Sequence, residues 1–231
     1  MNSLEQNSSY LVGSEEFIKN LESKESAKLL LISDSHGNFN SVINAVSIKG
    51  SECDALLFMG DGLCDIAELF EAALNNSELM QKLPSVVGFV QGNGDNSRFT
   101  CYDKKLNQQG YVNFQVPLLQ TINVCGHNFV FTHGHRYSCY YGTEQLSDLC
   151  QELNCDGAFY GHTHIARVEF ASRNRMILNP GSISHPRGGQ KYSFATVEVK
   201  KGSSNFDYCW WTFNGSGVEI YNPSCDNFSF F

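Results

Sequence analysis

The 231-residue chain is long enough to bury a sizeable core, as one large domain or two small ones. Sixteen Lys+Arg against twenty-four Asp+Glu leave a net charge of −8, with 42% apolar and 17% charged residues. This balance excludes wholesale disorder and argues against binding to nucleic-acid polymers or to an anionic membrane, and no apolar run approaches the roughly 20 residues that span a bilayer.

Residues 1–27 read as an N-terminal extension. Its polar start lacks the basic segment and apolar run of a secretion signal, so a cytoplasmic location is expected. Within it, Ser14–Leu21 opens with a serine cap and early glutamates and predicts a short helix. Residues 28–231 read as a single domain. Lys28–Ser33 is a buried strand, Asn40–Ile48 a helix, Ala55–Met59 a strand, Cys64–Met80 a helix and Val86–Gln91 a strand. Such a βαβα rhythm predicts a mostly parallel sheet covered by helices. Close-spaced strands come next at Tyr111–Val116, Leu118–Val124 and Asn128–Thr132, with a turn at Gly126-His127-Asn128. Thr143–Leu153 is a helix and Ala158–Tyr160 a strand. Ala166–Ala171, Arg175–Leu178, Tyr192–Val199 and two C-terminal runs predict further strands, so the second half is expected to form a second sheet. Nine cysteines, an odd number without a CxxC pair, are expected to be reduced and mostly buried.

The informative feature is the short polar loop at the end of each buried strand. The first strand leads into Asp34-Ser35-His36-Gly37-Asn38 and the second into Gly60-Asp61-Gly62. The third leads into Gly92-Asn93-Gly94-Asp95, and later ones into His133-Gly134-His135 and Gly161-His162-Thr163-His164. In open α/β sheets, ligands bind beyond the carboxyl ends of the strands, and glycine lets backbone approach them closely. Imidazole, carboxylate and amide oxygen together suit borderline divalent metals. Each motif alone is a common turn or cap; the five in series are the signal.

This series resembles the five-block signature of the calcineurin-like metallophosphoesterase superfamily, over about residues 28–200. Thr132–His135 and Asn179-Pro180-Gly181-Ser182 are similar to its branch of small bacterial and archaeal phosphodiesterases, which has the retromer scaffold subunit as a eukaryotic relative. The resemblance implies an α/β fold, a four-layer αββα sandwich of two mixed sheets flanked by helices. It also implies two divalent ions at one edge: manganese is expected, and nickel, iron, cobalt and zinc are compatible. One ion would take Asp34, His36, Asp61 and His164; the other would take Asp61, Asn93, His133 and His162, with Asp61 bridging. The implied reaction is hydrolysis of a small phosphodiester by a hydroxide that bridges the two ions.

One position departs from the pattern. Many members carry a proton-donating histidine after the asparagine, where this chain has Gly94. A poor leaving group needs an acid, so a phosphodiester with an activated leaving group is favoured. His135 is the first candidate for a replacement acid and His185 the second. Asn38, His135 and His185 are candidate substrate contacts, Asn38 being equally suited to cap a helix, and Arg136 and Arg187 are candidates to meet phosphate. Specificity is expected from Asn96–Gln109, Arg136–Gly142 and Ser184–Lys191. The aromatic run Tyr208, Trp210, Trp211 and Phe213 is expected in the core or at a homo-oligomeric contact. The alternatives are a phosphomonoesterase, a nucleotide or cyclic-nucleotide hydrolase, and a retromer-like scaffold with a relict site. Two divalent ions would outweigh Asp34 and Asp61 locally, so the acidic balance is compatible with a small phosphoester.

Overall fold

A computed structural model describes residues 2–102, 110–215 and 217–223. In chain order the elements are α1 (Glu15–Ser23), β1 (Ser26–Ile32), α2 (Phe39–Lys49), β2 (Ala55–Phe58), α3 (Leu63–Asn75), α4 (Ser77–Lys82), β3 (Val86–Phe89), β4 (Arg98–Tyr102) and β5 (Tyr111–Gln115). They continue with β6 (Leu119–Val124), β7 (His127–Thr132), α5 (Glu144–Glu152), β8 (Gly157–Phe159), β9 (Arg167–Ala171), β10 (Arg175–Asn179), β11 (Phe194–Lys200), β12 (Asp207–Asn214) and β13 (Gly217–Tyr221).

Two sheets form the centre. One has the order β13-β12-β11-β1-β2-β3 and the other β6-β7-β8-β10-β9. Strands β1, β2 and β3 run parallel, in register Leu31↔Leu57 and Leu57↔Gly88. Strands β7, β8 and β10 are also parallel, through Val130↔Ala158 and Ile177↔Ala158.

Side-chain alternation along β1 assigns the layers. Leu30 and Ile32 join Val42 and Val46 of α2 and Ile66, Leu69 and Phe70 of α3 in one core. Leu29 and Leu31 point the other way, onto Phe129, Phe131, Phe159 and Leu178 of the second sheet. The far face of that sheet packs Val130, Ala158 and Ile177 against Leu146 and Cys150 of α5. Helix, sheet, sheet and helix therefore stack as a four-layer αββα sandwich.

Four expectations change. The predicted Cys64–Met80 helix breaks at Asn76, whose side chain accepts from Glu78 N and Leu79 N and so starts α4. The hairpin turn falls at Cys125-Gly126, with φ of 53° and 80°, and His127 already pairs with Val124. Tyr111–Gln115 pairs with β4, a strand that the sequence pattern does not predict, in a separate two-stranded sheet. The C-terminal strands join the first sheet instead of the second, because β11 pairs antiparallel with β1.

Residues before β1 lie against the domain. Val12 exchanges backbone hydrogen bonds with Val87 at 2.7 and 2.8 Å, and Leu11 and Leu21 are buried in the inter-sheet core. The predicted Ser14 cap is present, accepting from Phe17 N at 3.3 Å. Trp210 is buried and Trp211 donates to Thr196 Oγ1 at 3.0 Å. Residues 228–231 lie outside the described residues. No helix among the described residues is long and apolar enough to cross a membrane.

The eight cysteines among the described residues are free, and six of them are buried. Burial pushes the Cys53 and Cys139 thiols up to about 12 from an ordinary value near 9. Between these values the folded thiol keeps a proton that the unfolded one has lost. The native state then binds more protons, so stability falls as pH rises, by up to about 1.4 kcal/mol per pH unit for each thiol. Urea unfolding from pH 8 to 10.5 is expected to show this decline. A Cys53→Ala/Cys139→Ala variant should have a shallower slope, and an unchanged slope counts against the assignment.

Candidate metal centre

Every candidate ligand lies just beyond a strand end. Asp34 and His36 come after β1, Asp61 after β2 and Asn93 after β3; His133 comes after β7, and His162 and His164 after β8. The carboxyl ends of parallel strands from both sheets thus converge on one edge of the sandwich, the place where open α/β sheets hold ligands.

The donor atoms meet in two groups. Asp34, His36 and His164 form one, and Asp34, Asp61 and His133 the other, with donor atoms in each group within 4.8 Å of one another. His36 Nε2 lies 3.1 Å from His164 Nε2, which is 3.3 Å from Asp34 Oδ1. His133 Nε2 lies 3.4 Å from Asp61 Oδ2 and 3.2 Å from Asn93 Oδ1. Asp34 is the carboxylate common to both groups, where the resemblance implies Asp61. His162 stands edge-on to His133 with centroids 5.0 Å apart, and its backbone N–H donates to Asp34 Oδ2 at 3.1 Å.

Carbonyls set the imidazole orientation. His133 Nδ1 donates to Met59 O and His164 Nδ1 to His185 O, each at 2.6 Å. A neutral ring that donates from Nδ1 offers the Nε2 lone pair, and both Nε2 atoms face the carboxylates. The Nε2 atoms of His36 and His164, 3.1 Å apart beside buried Asp34, form a donor set that fits a divalent cation.

The same crowding shifts the ionisable groups. Burial opposes the charge on Asp61, but hydrogen bonds from His133 and Gly94 N and the His133 charge outweigh it, holding the carboxyl well below its usual range. Burial likewise pulls His133 down, yet the Asp61 hydrogen bond and the charges of Asp34 and Asp61 leave it raised. Partial burial and the charge of His133 pull half-buried His162 down to about 4, and burial also lowers His36 and His135.

Five candidate ligands hold left-handed backbone: Asp34 (φ 54°), His36 (47°), Asp61 (56°), His162 (68°) and His164 (61°). Such conformations cost about 1–3 kcal/mol each and persist where the surroundings over-determine them. Those surroundings are residues to which the sequence alone assigns no such role. Asp95 accepts from Asp61 N (2.7 Å) and from Gly62, Leu63 and Gly92 N (each 3.0 Å). Ser182 and Ser184 hydroxyls donate to Asp34 O at 2.7 and 3.0 Å. Asn179 donates to Gly161 O at 2.8 Å, so residues 179–182 brace two ligand loops.

Gly161 permits the closest of these approaches. A Cβ there would run into Ser33 Oγ and come within 2.7 Å of Asp34 Oδ2. Gly161→Ala is therefore expected to displace Asp34 and lower manganese affinity about tenfold or more, as supporting residues around metal ligands do. Calorimetric metal titration checks this; wild-type affinity in the variant would refute it.

The remaining candidates lie around this centre. His135 has its centroid 5.4 Å from His133, and its buried Nδ1 has no partner among the described residues. His185 stands 5.2 Å from His36, with Nδ1 2.7 Å from Ser184 Oγ. Asn38 caps α2, accepting from Ser41 N at 3.2 Å, so its carbonyl oxygen is engaged in the fold. Arg136 and Arg187 are exposed. Of Asn96–Gln109, residues 96–102 lead into and form β4, and residues 103–109 lie outside the described residues.

The sequence profile of the calcineurin-like phosphoesterase superfamily domain matches residues 28–202. A probable metallophosphoesterase of Bacillus subtilis, YsnB, is 26% identical over 194 residues, covering 83% of this chain and 94% of that protein. A predicted phosphoesterase from Streptococcus pneumoniae superposes with a TM-score of 0.58 at 22% identity, covering 86% of this chain and 99% of that one. Vacuolar Protein Sorting 29 from Cryptosporidium parvum superposes with a TM-score of 0.60 at 18% identity, covering 86% and 97%. At these identities the two structures share the fold.

Proposed function

From the premise that this chain belongs to the calcineurin-like phosphoesterase superfamily, we propose that it is a metal-dependent hydrolase of a small phosphodiester. The observation that carries the reading is the pair of ligand groups sharing Asp34 at the strand ends. Asp34, His36, Asp61, Asn93, His133, His162 and His164 would hold two divalent ions, manganese first among them. When bound, such ions supply Lewis acidity to phosphoryl oxygens and an acidified water as nucleophile.

The chain's own residues contribute the rest. Asp34 and Asp61 carry the negative charge that draws cations in. Met59 O and His185 O hold His133 and His164 with Nε2 facing inward. His135, beside His133, and His185, beside His36, are the imidazoles offered to a leaving group. Gly94 has no proton to give, which favours an ester whose alcohol departs without protonation. The diester preference rests on that position.

The test is hydrolysis of bis-p-nitrophenyl phosphate by the full chain with Mn²⁺, against p-nitrophenyl phosphate and a cyclic-nucleotide panel. Expected is diester turnover that manganese stimulates and a chelator removes. A higher kcat/KM on the monoester would shift the reading to a phosphomonoesterase. No metal-stimulated turnover on any substrate would sink it in favour of a scaffold.

A further inference from the structure

We propose that Arg187 binds the phosphoryl oxygens of the substrate and that Tyr140 is the positioning residue that aims it; this deepens, and rests on, the phosphoester reading. Arg187 is tied to the ligand loop by its backbone, whose N–H donates to His164 O at 3.1 Å. Its guanidinium Nη1 donates to Tyr140 Oη, and that hydroxyl donates in turn to His162 O at 3.0 Å. The Tyr140 ring stands edge-on to the His162 ring, with centroids 5.0 Å apart. Arg187 Cζ lies 5.9 Å from the Tyr140 centroid. One hydroxyl therefore joins residues 136–142 to residues 185–191 beside the carbonyls of two candidate ligands.

The charge environment indicates an anionic occupant. Arg187 is exposed, and no carboxylate pairs with it among the described residues, whereas Arg167 pairs with Glu169. Next to a centre that would carry cations, a fixed guanidinium is unfavourable until an anion lies between them. Its Nε and Nη2 hydrogens remain to be shared, and their planar fork matches two oxygens of one phosphoryl group. Arg136 is also exposed but has no comparable tether among the described residues. Tyr140 limits the rotamers of Arg187 before substrate arrives, which reduces the entropy lost on binding.

The experiment uses the manganese-loaded full chain as wild type, Arg187→Ala, Arg187→Lys, Tyr140→Phe and the Arg187→Ala/Tyr140→Phe double variant. For bis-p-nitrophenyl phosphate, Arg187→Ala should lower kcat/KM about tenfold or more, chiefly through KM, with unchanged manganese content. Arg187→Lys should recover part of the loss, since it returns the charge without the fork. Tyr140→Phe should lose about threefold alone and nothing further on top of Arg187→Ala, because it acts through that residue. Calorimetric titration with inorganic phosphate gives a readout independent of turnover, and its affinity should fall about tenfold in Arg187→Ala. Overturning results are wild-type KM and phosphate affinity in Arg187→Ala, an additive Tyr140→Phe effect, loss of manganese, or a wild type that binds no phosphate. If the wild type hydrolyses no phosphoester yet binds phosphate through Arg187, the hydrolase reading fails and the Arg187 assignment stands.

Discussion

His133→Ala is expected to lower metal-stimulated phosphoester hydrolysis at least about a hundredfold and to remove bound manganese. The residue is fully buried, and its two ring nitrogens serve different neighbours. Nδ1 holds Met59 O, while Nε2 faces Asp61 and Asn93. Truncation leaves the Asp61 carboxylate without its imidazole partner and Met59 O without a donor, so some loss of stability accompanies the loss of metal. His133→Asn keeps a polar side chain and separates the two effects: it should fold like wild type by thermal melting and still fail to hold the second ion. His127→Ala is the control, since His127 pairs with Asp156 away from the centre and its loss should leave turnover intact. Elemental analysis and turnover together decide the matter. Full manganese content with wild-type turnover in His133→Asn would remove His133 from the site.

Asp95→Ala is expected to cost about 3–5 kcal/mol and, at roughly 2–4 °C per kcal/mol for a chain of this size, about 6–20 °C in Tm. One carboxylate accepts four backbone N–H groups, from Asp61, Gly62, Leu63 and Gly92. Each of these four residues is buried, so water is a poor substitute acceptor. The same carboxylate ties the loop after β3 to the loop after β2 and satisfies the start of α3, where Gly62 offers no side-chain cap. Asp95→Asn retains one acceptor oxygen and turns the other into a donor facing N–H groups, so it should fall between wild type and Asp95→Ala. Thermal melting of all three checks the order, and a Tm for Asp95→Ala within two degrees of wild type would show that the loops are held by other contacts.

The ligand loops are legible in the sequence because the chemistry sits beside its own positional signal. Each polar Asp, Asn or His comes within a few residues of a short apolar run, and a buried strand must end where polarity returns. The sharing of Asp34 between the two groups is not legible, since it depends on how loops from two sheets approach one another. Nor is the left-handed backbone at Asp34, His36, Asp61, His162 and His164, because non-glycine residues give no local sign of it. In the sequence Asp95 stands out only as an acid near a glycine, and its four donors are backbone groups that look alike in any chain. Strand partners are the largest gap. Apolar periodicity marks β11 as a strand but carries nothing about whether it joins β10 or β1. Strand β4 escapes the pattern because Arg98–Tyr102 buries only Cys101 and lacks an apolar run.

The pairing of β11 with β1 has a consequence for synthesis on the ribosome. Strand β1 ends at Ile32, and its antiparallel neighbour begins at Phe194. Until that late segment emerges, β1 has an open edge, and Asp34 lacks the hydroxyls of Ser182 and Ser184 that hold its carbonyl. Contacts of such high sequence separation form slowly and late. The nascent chain therefore carries a strand edge open to mispairing through most of translation, and a chain stalled before residue 182 has every predicted ligand in place and no complete scaffold to aim them.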